Sequence, residues 1–121
     1  MTLSLERLAS LPQVEIVTET EFTDGRPVFR GPLLRDLVRW AGLEGADELR
    51  LVALNGYETT MPASDYETFD VVLALQMNGE ALSPRNKGPI WIIYPLDDDP
   101  RLSAPIYKSR MIWQLVKIST L

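Results

Sequence analysis

The sequence has 121 residues, of which 45% are apolar and 24% charged, with a formal net charge of −5 and neither cysteine nor histidine. This composition predicts one globular domain, residues 1–121, and the negative charge argues against nucleic acid as a partner. The two missing residue types exclude disulfides, thiolate and imidazole metal ligands, and catalysis by either side chain. No apolar run reaches the roughly 20 residues of a membrane span, and no signal peptide is visible behind Met1.

The first third of the chain predicts two helices and one strand. Leucines recur at three-residue spacing over 4–11, which indicates a short helix. Residues 14–22 alternate between inward-facing side chains and an acidic outer face, as in a half-exposed strand that ends with Phe22 facing inward. Pro32 suits the first position of a second helix over 32–41, and Gly42 suits its C-terminal cap.

The middle of the chain predicts a hairpin and a helical turn. Apolar and β-branched residues over 49–54 indicate a strand, and Asn55-Gly56 indicates the turn that ends it. Residues 59–61 then form a short return strand. Residues 62–67 follow as a helical turn.

The most apolar stretch runs from residue 71 to residue 95. Two continuous apolar runs, 71–77 and 90–94, predict a pair of core strands covered on both faces. The Asn78-Gly79 turn closes the first run, and the loop 83–88 adds positive charge at one end of the pair. Residues 95–110 are rich in proline and predict irregular loops, and 111–121 predict a closing strand.

Six polar side chains are candidates for binding a small anionic ligand, because they are expected to converge at loop ends. These are Asn55, Tyr57, Arg85, Asn86, Lys87 and Arg110. Guanidinium groups bind phosphate or carboxylate in a bidentate manner, and lysine adds a point charge. The alternative is that these groups are solvated loop residues. Trp91 and Trp113 are expected in the core, or one of them lines a pocket for a planar ring.

No catalytic residue is predicted, because the spacing of the carboxylates brings no two of them together for acid–base chemistry. The triplet Asp97-Asp98-Asp99 lacks the spaced oxygen ligands of a calcium loop. A solvated loop is therefore favoured over a metal site, and no metal is expected.

Five motifs resemble the molybdopterin-binding domain of the sulfite oxidase type. They lie in order between Leu3 and Ile118. The motifs are FRGPLLRDL with Ala41-Gly42; ALNGY from Ala53; Val71–Ala74 followed by NGEAL from Asn78; KGPIWIIYP from Lys87; and WQL from Trp113. The resemblance implies an α+β fold, a single mixed α/β domain whose loops grip an extended pterin cofactor and its phosphate.

The sequence also departs from the catalytic members of that family. They bind molybdenum through a cysteine thiolate, which this sequence lacks. Trp91 stands where they have an arginine, and Ile112 stands where they have a lysine. The resemblance therefore implies a non-catalytic domain that binds molybdopterin, another pterin, or a small anionic ring compound.

Two further hypotheses remain open at this stage. One is an oxidoreductase subunit that carries the molybdenum cofactor. The other is a protein-interaction or sensory module with a vestigial pocket, in which Glu15, Glu19 and Glu21 face a protein partner. An open polar cavity beside Arg85 favours a ligand, whereas a cavity filled by Trp91 favours the interaction module. Family members are often exported, so a periplasmic location is expected by resemblance only.

Overall fold

Three small antiparallel sheets and four short helices make up the structure, a computed structural model that describes residues 1–120. This arrangement confirms the predicted α+β class. The helices are α1 (Leu5–Ser10), α2 (Leu34–Trp40), α3 (Ala63–Thr68) and α4 (Pro105–Ser109). The strands are β1 (Gln13–Val17), β2 (Val28–Pro32), β3 (Glu48–Ala53), β4 (Glu58–Pro62), β5 (Val72–Ala74), β6 (Gln76–Met77), β7 (Glu80–Ala81), β8 (Trp91–Ile93) and β9 (Leu115–Thr120). Within residues 1–120, none of the helices has the length and apolar character that crossing a bilayer requires.

The central sheet is the antiparallel pair β5–β8, which pairs Val72 with Ile93 and Ala74 with Trp91. All six of its residues are buried, so the prediction of a strand pair covered on both faces is confirmed. The other two sheets run in the orders β1-β2-β6-β7 and β4-β3-β9. Trp91, Tyr94 and Phe29 are the largest fully buried side chains.

The single strand predicted over 71–77 is wrong, because the run divides between two sheets. The break falls at Leu75, whose N–H donates to the Arg30 carbonyl at 2.8 Å. Beyond it, β6 pairs with β7 across Asn78 and Gly79, which have φ of 53° and 82°. Two positive φ values are what a type I′ hairpin turn requires.

Strand β2 was not predicted, because the sequence before Pro32 contains too few apolar residues to show a strand period. Pro32 ends β2 opposite Gln13 instead of beginning the helix, and α2 begins at Leu34. At Gly31 a Cβ would overlap the Leu73 carbonyl, so only glycine lets β2 approach β5 this closely.

The helical C-cap at Gly42 is present as predicted. Gly42 has φ of 72°, its N–H donates to the Arg39 carbonyl, and the Leu43 N–H donates to the Val38 carbonyl at 3.0 Å. These two bonds form a Schellman motif, which satisfies the last carbonyls of α2.

The first predicted strand, 14–22, ends early at Val17. Beyond it, side chains replace the ladder as hydrogen-bond partners: the Glu19 N–H donates to the Asp97 carboxylate, and the Phe22 N–H donates to the Thr20 hydroxyl. Short polar side chains compete with strand pairing in this way. Phe22 was expected to face the core, but it is 45% exposed.

The hairpin of β3 and β4 turns at Asn55-Gly56 as predicted, and the predicted helical turn is α3. The closing strand begins later than predicted. It starts at Leu115, because the preceding residues form a loop in which Gln114 has φ of 55°. Leu121, the last residue of the predicted strand, lies outside the described residues.

Candidate ligand-binding site

A cleft of about 300 Å³ opens where the β3–β4 turn, the loop after β1 and the segment 108–113 meet. Its apolar wall consists of Phe22, Ala53, Met111, Ile112 and Trp113. Its polar groups come from Asn55, Tyr57, Lys108 and Ser109. Small-molecule sites have this character: a mostly apolar concave surface with a few polar groups, at the lower end of the usual volume range.

The aromatic wall of the cleft continues inward into the core. The Trp113 ring meets Phe22 edge to face at 4.8 Å between centroids, and it meets Trp91 at 6.5 Å. Trp91 is fully buried, and its indole Nε1–H donates to the Met111 carbonyl at 3.2 Å. Trp91 therefore supports the wall from behind and does not fill the cleft, whereas Trp113 forms the surface of the cleft.

Lys87 lies behind the same aromatic wall. Its ammonium nitrogen is 5.3 Å from the centroid of Trp113, 5.6 Å from Trp91 and 5.8 Å from Phe22. These distances are within the range of cation–π attraction. Among residues 1–120, no carboxylate forms an ion pair with Lys87 or with Lys108. Lys108 lines the cleft, so its ammonium group is available to an anionic group of a ligand there, whereas the Lys87 ammonium adds positive charge from behind the rings.

Gln114 holds the loop of Lys87 against the β3–β4 turn. Its backbone N–H donates to the Lys87 carbonyl at 2.9 Å, and its side-chain amide donates to the Pro84 carbonyl at 2.8 Å. Its own carbonyl accepts from the Leu54 N–H at 2.8 Å. One residue thus fixes two edges of the site relative to each other.

The six side chains predicted to bind a ligand do not all meet in one place. Asn55 and Tyr57 line the cleft, and Lys87 touches its wall. Arg85 is exposed on a 3₁₀ turn, Pro84–Asn86, outside the cleft lining. Asn86 Oδ1 accepts from the Ser83 N–H at 2.5 Å, so this side chain caps its own turn.

The sixth predicted residue, Arg110, faces away from the cleft. Its Nη1 donates to Asp65 Oδ2 at 2.7 Å, and the Tyr94 hydroxyl donates to the same oxygen at 2.7 Å. Asp65 is 4% exposed and Tyr94 is fully buried. Burial, followed by the hydrogen bond to Asp65, raises the pKa of Tyr94 far above its usual value, so the phenol remains a neutral donor. The Arg110 guanidinium also lies 5.7 Å from the ring centroid of Tyr107.

Two residues of the aspartate triplet form ion pairs with nearby arginines. Asp97 pairs with Arg26 at 2.8 Å, and Asp99 pairs with Arg101 at 2.7 Å. The hydrogen bonds from Arg101 lower the pKa of the Asp99 carboxyl. Within residues 1–120, no three carboxylates are grouped in a way that could hold a metal ion.

Sequence reasoning missed several residues of the cleft, chiefly Phe22, Lys108, Ser109 and Met111. Phe22 was hidden by an alternating pattern that predicted it in the core. Lys108 and Ser109 lie on α4, a helix of five residues in a region that was expected to be irregular, so no periodicity identified them. For Trp91 and Trp113, core packing was expected, and a pocket wall formed by one of them was the alternative; Trp113 is the one that lines the cleft.

Comparison with known families identifies the class of protein. A sequence model of the oxidoreductase molybdopterin binding domain matches residues 1–96. The chain therefore belongs to this family, as the motifs had suggested. A comparison with curated proteins gave no match. The match includes β1 to β8 and the Lys87 loop, whereas α4 and the segment 108–113 lie beyond it.

Molybdopterin, the cofactor that this family binds, fits the cleft in part. The aromatic wall suits the planar pterin ring, and the ammonium groups of Lys87 and Lys108 suit an anionic substituent. A thiolate for the metal has no counterpart, because the sequence contains no cysteine. The residues therefore fit the organic part of the cofactor but not the usual attachment of its metal.

Proposed function

We propose that this chain is a non-catalytic binding domain of the sulfite oxidase type, a single domain over residues 1–121, that holds a pterin or a similar anionic ring compound. The observation that carries this proposal is the cleft of about 300 Å³, which has an aromatic wall and is lined by Lys108, with Lys87 behind that wall. Neither lysine forms an ion pair with a carboxylate of residues 1–120. A ring stacked on Trp113 would place its substituent near these cations.

The absence of catalysis is supported by the chemistry that the sequence can supply. It contains no thiolate for molybdenum and no imidazole for acid–base work. The arginine position of the catalytic members is occupied by Trp91, which is fully buried and tied to the Met111 carbonyl. This position therefore contributes to packing instead of to substrate binding.

Titration calorimetry and thermal unfolding with pterin-6-carboxylate test the proposal. A ligand at a concentration 100-fold above its dissociation constant should stabilise the protein by about 2.7 kcal/mol, which appears as a higher melting temperature. No heat and no shift at millimolar probe would remove the proposal.

Two matched variants locate the anion contact. Lys87→Met keeps the length of the side chain but removes the charge beside Trp113, so the affinity for the carboxylate probe should fall. Arg85→Met removes the same charge from an exposed position two residues earlier, and the affinity should stay unchanged. Equal losses in both variants would indicate general electrostatic attraction instead of a defined contact.

A second candidate function, a protein-interaction surface, is favoured by the exposed aromatic residues at the cleft. Phe22 is 45% exposed and Tyr57 is 55% exposed. Under this alternative, pterin-6-carboxylate does not bind in the cleft, because Phe22 and Tyr57 contact a protein partner there. The substitution Phe22→Ser should then reduce partner binding while the melting temperature changes little.

A further inference from the structure

We infer that Arg110 and Asp65 are positioning residues for the cleft: their partly buried ion pair fixes the segment 108–113, which forms one wall of the site, and Arg110 itself does not contact the ligand. This inference rests on the proposed function, and it assigns a different role to an arginine that sequence reasoning had placed among the ligand-binding groups.

The first support is the contact of Arg110 with Asp65. Its Nη1 lies 2.7 Å from Asp65 Oδ2, and its side chain is only 18% exposed. Arg110 is absent from the cleft lining, although Ser109 and Met111 on either side of it line the cleft. The chain therefore presents its two neighbours to the cleft and turns Arg110 toward the interior.

The second support is that residues 111 and 112 are held by hydrogen bonds of their own. The Met111 carbonyl accepts from the Trp91 indole, and the Ile112 carbonyl accepts from the Ile92 N–H at 3.0 Å. These bonds hold the backbone of 111–112 against β8. At the end of α4, the Lys108 carbonyl accepts from the Met111 N–H at 3.2 Å, and the Tyr107 ring packs against Phe69 and Tyr94. The contact of Arg110 with Asp65 on α3 adds the one ion pair that this segment forms within residues 1–120.

The third support is a difference between the two donors that share Asp65 Oδ2. Tyr94 follows β8 directly and is held by core packing, so its hydroxyl adds stability without reaching the cleft. Arg110 belongs to the cleft-forming segment itself. Removing either donor takes one hydrogen bond from the same oxygen, but only the removal of Arg110 releases the wall. The two substitutions therefore share the lost hydrogen bond and differ in location, and only the removal of Arg110 also removes a charge.

The experiment measures dissociation constants of two probes, pterin-6-carboxylate and the neutral 6-methylpterin, for the full chain and four variants. Arg110→Met should weaken both probes by the same factor, roughly tenfold, since a displaced wall weakens stacking whatever the charge of the ligand. Tyr94→Phe should leave both constants within about twofold, even though thermal unfolding shows a loss of stability of the usual size for one hydrogen bond.

Two more variants test the inference if Arg110→Met fails to fold. Arg110→Lys retains a charge that can reach Asp65, and it should restore part of the affinity. Asp65→Asn should weaken both probes. If Arg110 instead bound the ligand anion directly, Arg110→Met would weaken only the carboxylate probe, and Asp65→Asn would leave that probe unchanged or tighten it.

The outcomes separate the two proposals. If the unmodified protein binds neither probe, the proposed pterin site fails. If it binds both probes and Arg110→Met binds them equally well, the site stands and the positioning role of Arg110 is overturned.

Discussion

The two sides of the segment 105–113 use polar side chains in opposite ways. On the inner side, Asp65, Tyr94 and Arg110 satisfy one another at distances of 2.7 Å. On the outer side, Lys108 and Asn55 lie beside an aromatic wall, and the ammonium of Lys108 has no ion-pair partner among residues 1–120.

The difference teaches which polar groups belong to the fold and which are available to a ligand. Buried polar groups must be paired, and of the described side chains no buried polar atom lacks a hydrogen-bond partner. A cation that the protein leaves unpaired next to exposed aromatic rings is therefore a better indicator of a binding site than a buried, fully paired cation. By this criterion Lys108 replaces Arg110 as a candidate.

Among the substitutions that test this comparison, Asp65→Ala is expected to have the largest effect. It leaves the Arg110 guanidinium largely buried without its carboxylate, and losing one partner of a buried pair costs about 3–5 kcal/mol. Urea denaturation measures this loss as a lower midpoint with a similar slope. Asp70→Ala is the control, because Asp70 pairs with Arg35 at an exposed position. A loss below about 1 kcal/mol for Asp65→Ala would mean that the pair is effectively solvated.

On the outer side, Trp113→Ala should act on binding. Loss of a stacking surface is worth about 1–3 kcal/mol, so the affinity for pterin-6-carboxylate should fall by roughly 5- to 150-fold. Calorimetry measures the change. Trp40→Ala removes an exposed indole that lies under the Arg7 guanidinium, away from the cleft, and should leave the affinity unchanged. Similar losses in both variants would contradict the placement of the ring.

The inner side should also show a pH dependence. Burial raises the pKa of Tyr94, so at high pH the unfolded chain ionises first. The contribution of Tyr94 to the free energy of unfolding should therefore be constant below about pH 10 and fall as the pH rises beyond it. Tyr94→Phe should cost about 1 kcal/mol at neutral pH and make the alkaline decline shallower. Tyr66, whose pKa is also raised by burial, keeps some decline in the variant. An unchanged alkaline slope in Tyr94→Phe would contradict this assignment.

The smallest effect is expected from Asp99→Asn, a surface counterpart of the buried pair. Arg101 lowers the pKa of Asp99, so the contribution of this pair is present at neutral pH and is lost as the pH falls below the usual range of an aspartate. The pair is solvent-exposed, and such pairs contribute little. The urea midpoint at pH 7 should not change measurably. A clear loss would show that geometry outweighs burial in this protein.

The sequence predicted those parts of the fold that depend on local signals. Continuous apolar runs identified β5 and β8, and the dipeptides Asn55-Gly56 and Asn78-Gly79 identified two turns, in which Gly56, Asn78 and Gly79 have positive φ. Strand β2 was missed because the residues before Pro32 show no strand period, and its close approach to β5 at Gly31 is a tertiary contact without a local signal.

The candidate site was harder to predict than the fold. Residue type alone made Arg110 resemble Lys87, although one is paired with Asp65 and the other is not. Only the positions of α3 and α4 relative to each other distinguish them. Lys108 gave no signal at all, since its contribution depends on how a five-residue helix lies beside the β3–β4 turn.

The division of the run 72–77 between two sheets has a consequence for how the molecule unfolds. Within six residues the chain forms β5 in one sheet and β6 in another. Only Leu75 lies between the two strands, so there is no loop that could act as a hinge. Separating the strands of either sheet displaces the strand in the other sheet, so the two sheets should not unfold independently. The chain should therefore lose its structure in one cooperative step, and a backbone cut beside Leu75 would leave two fragments that each lack a partner strand.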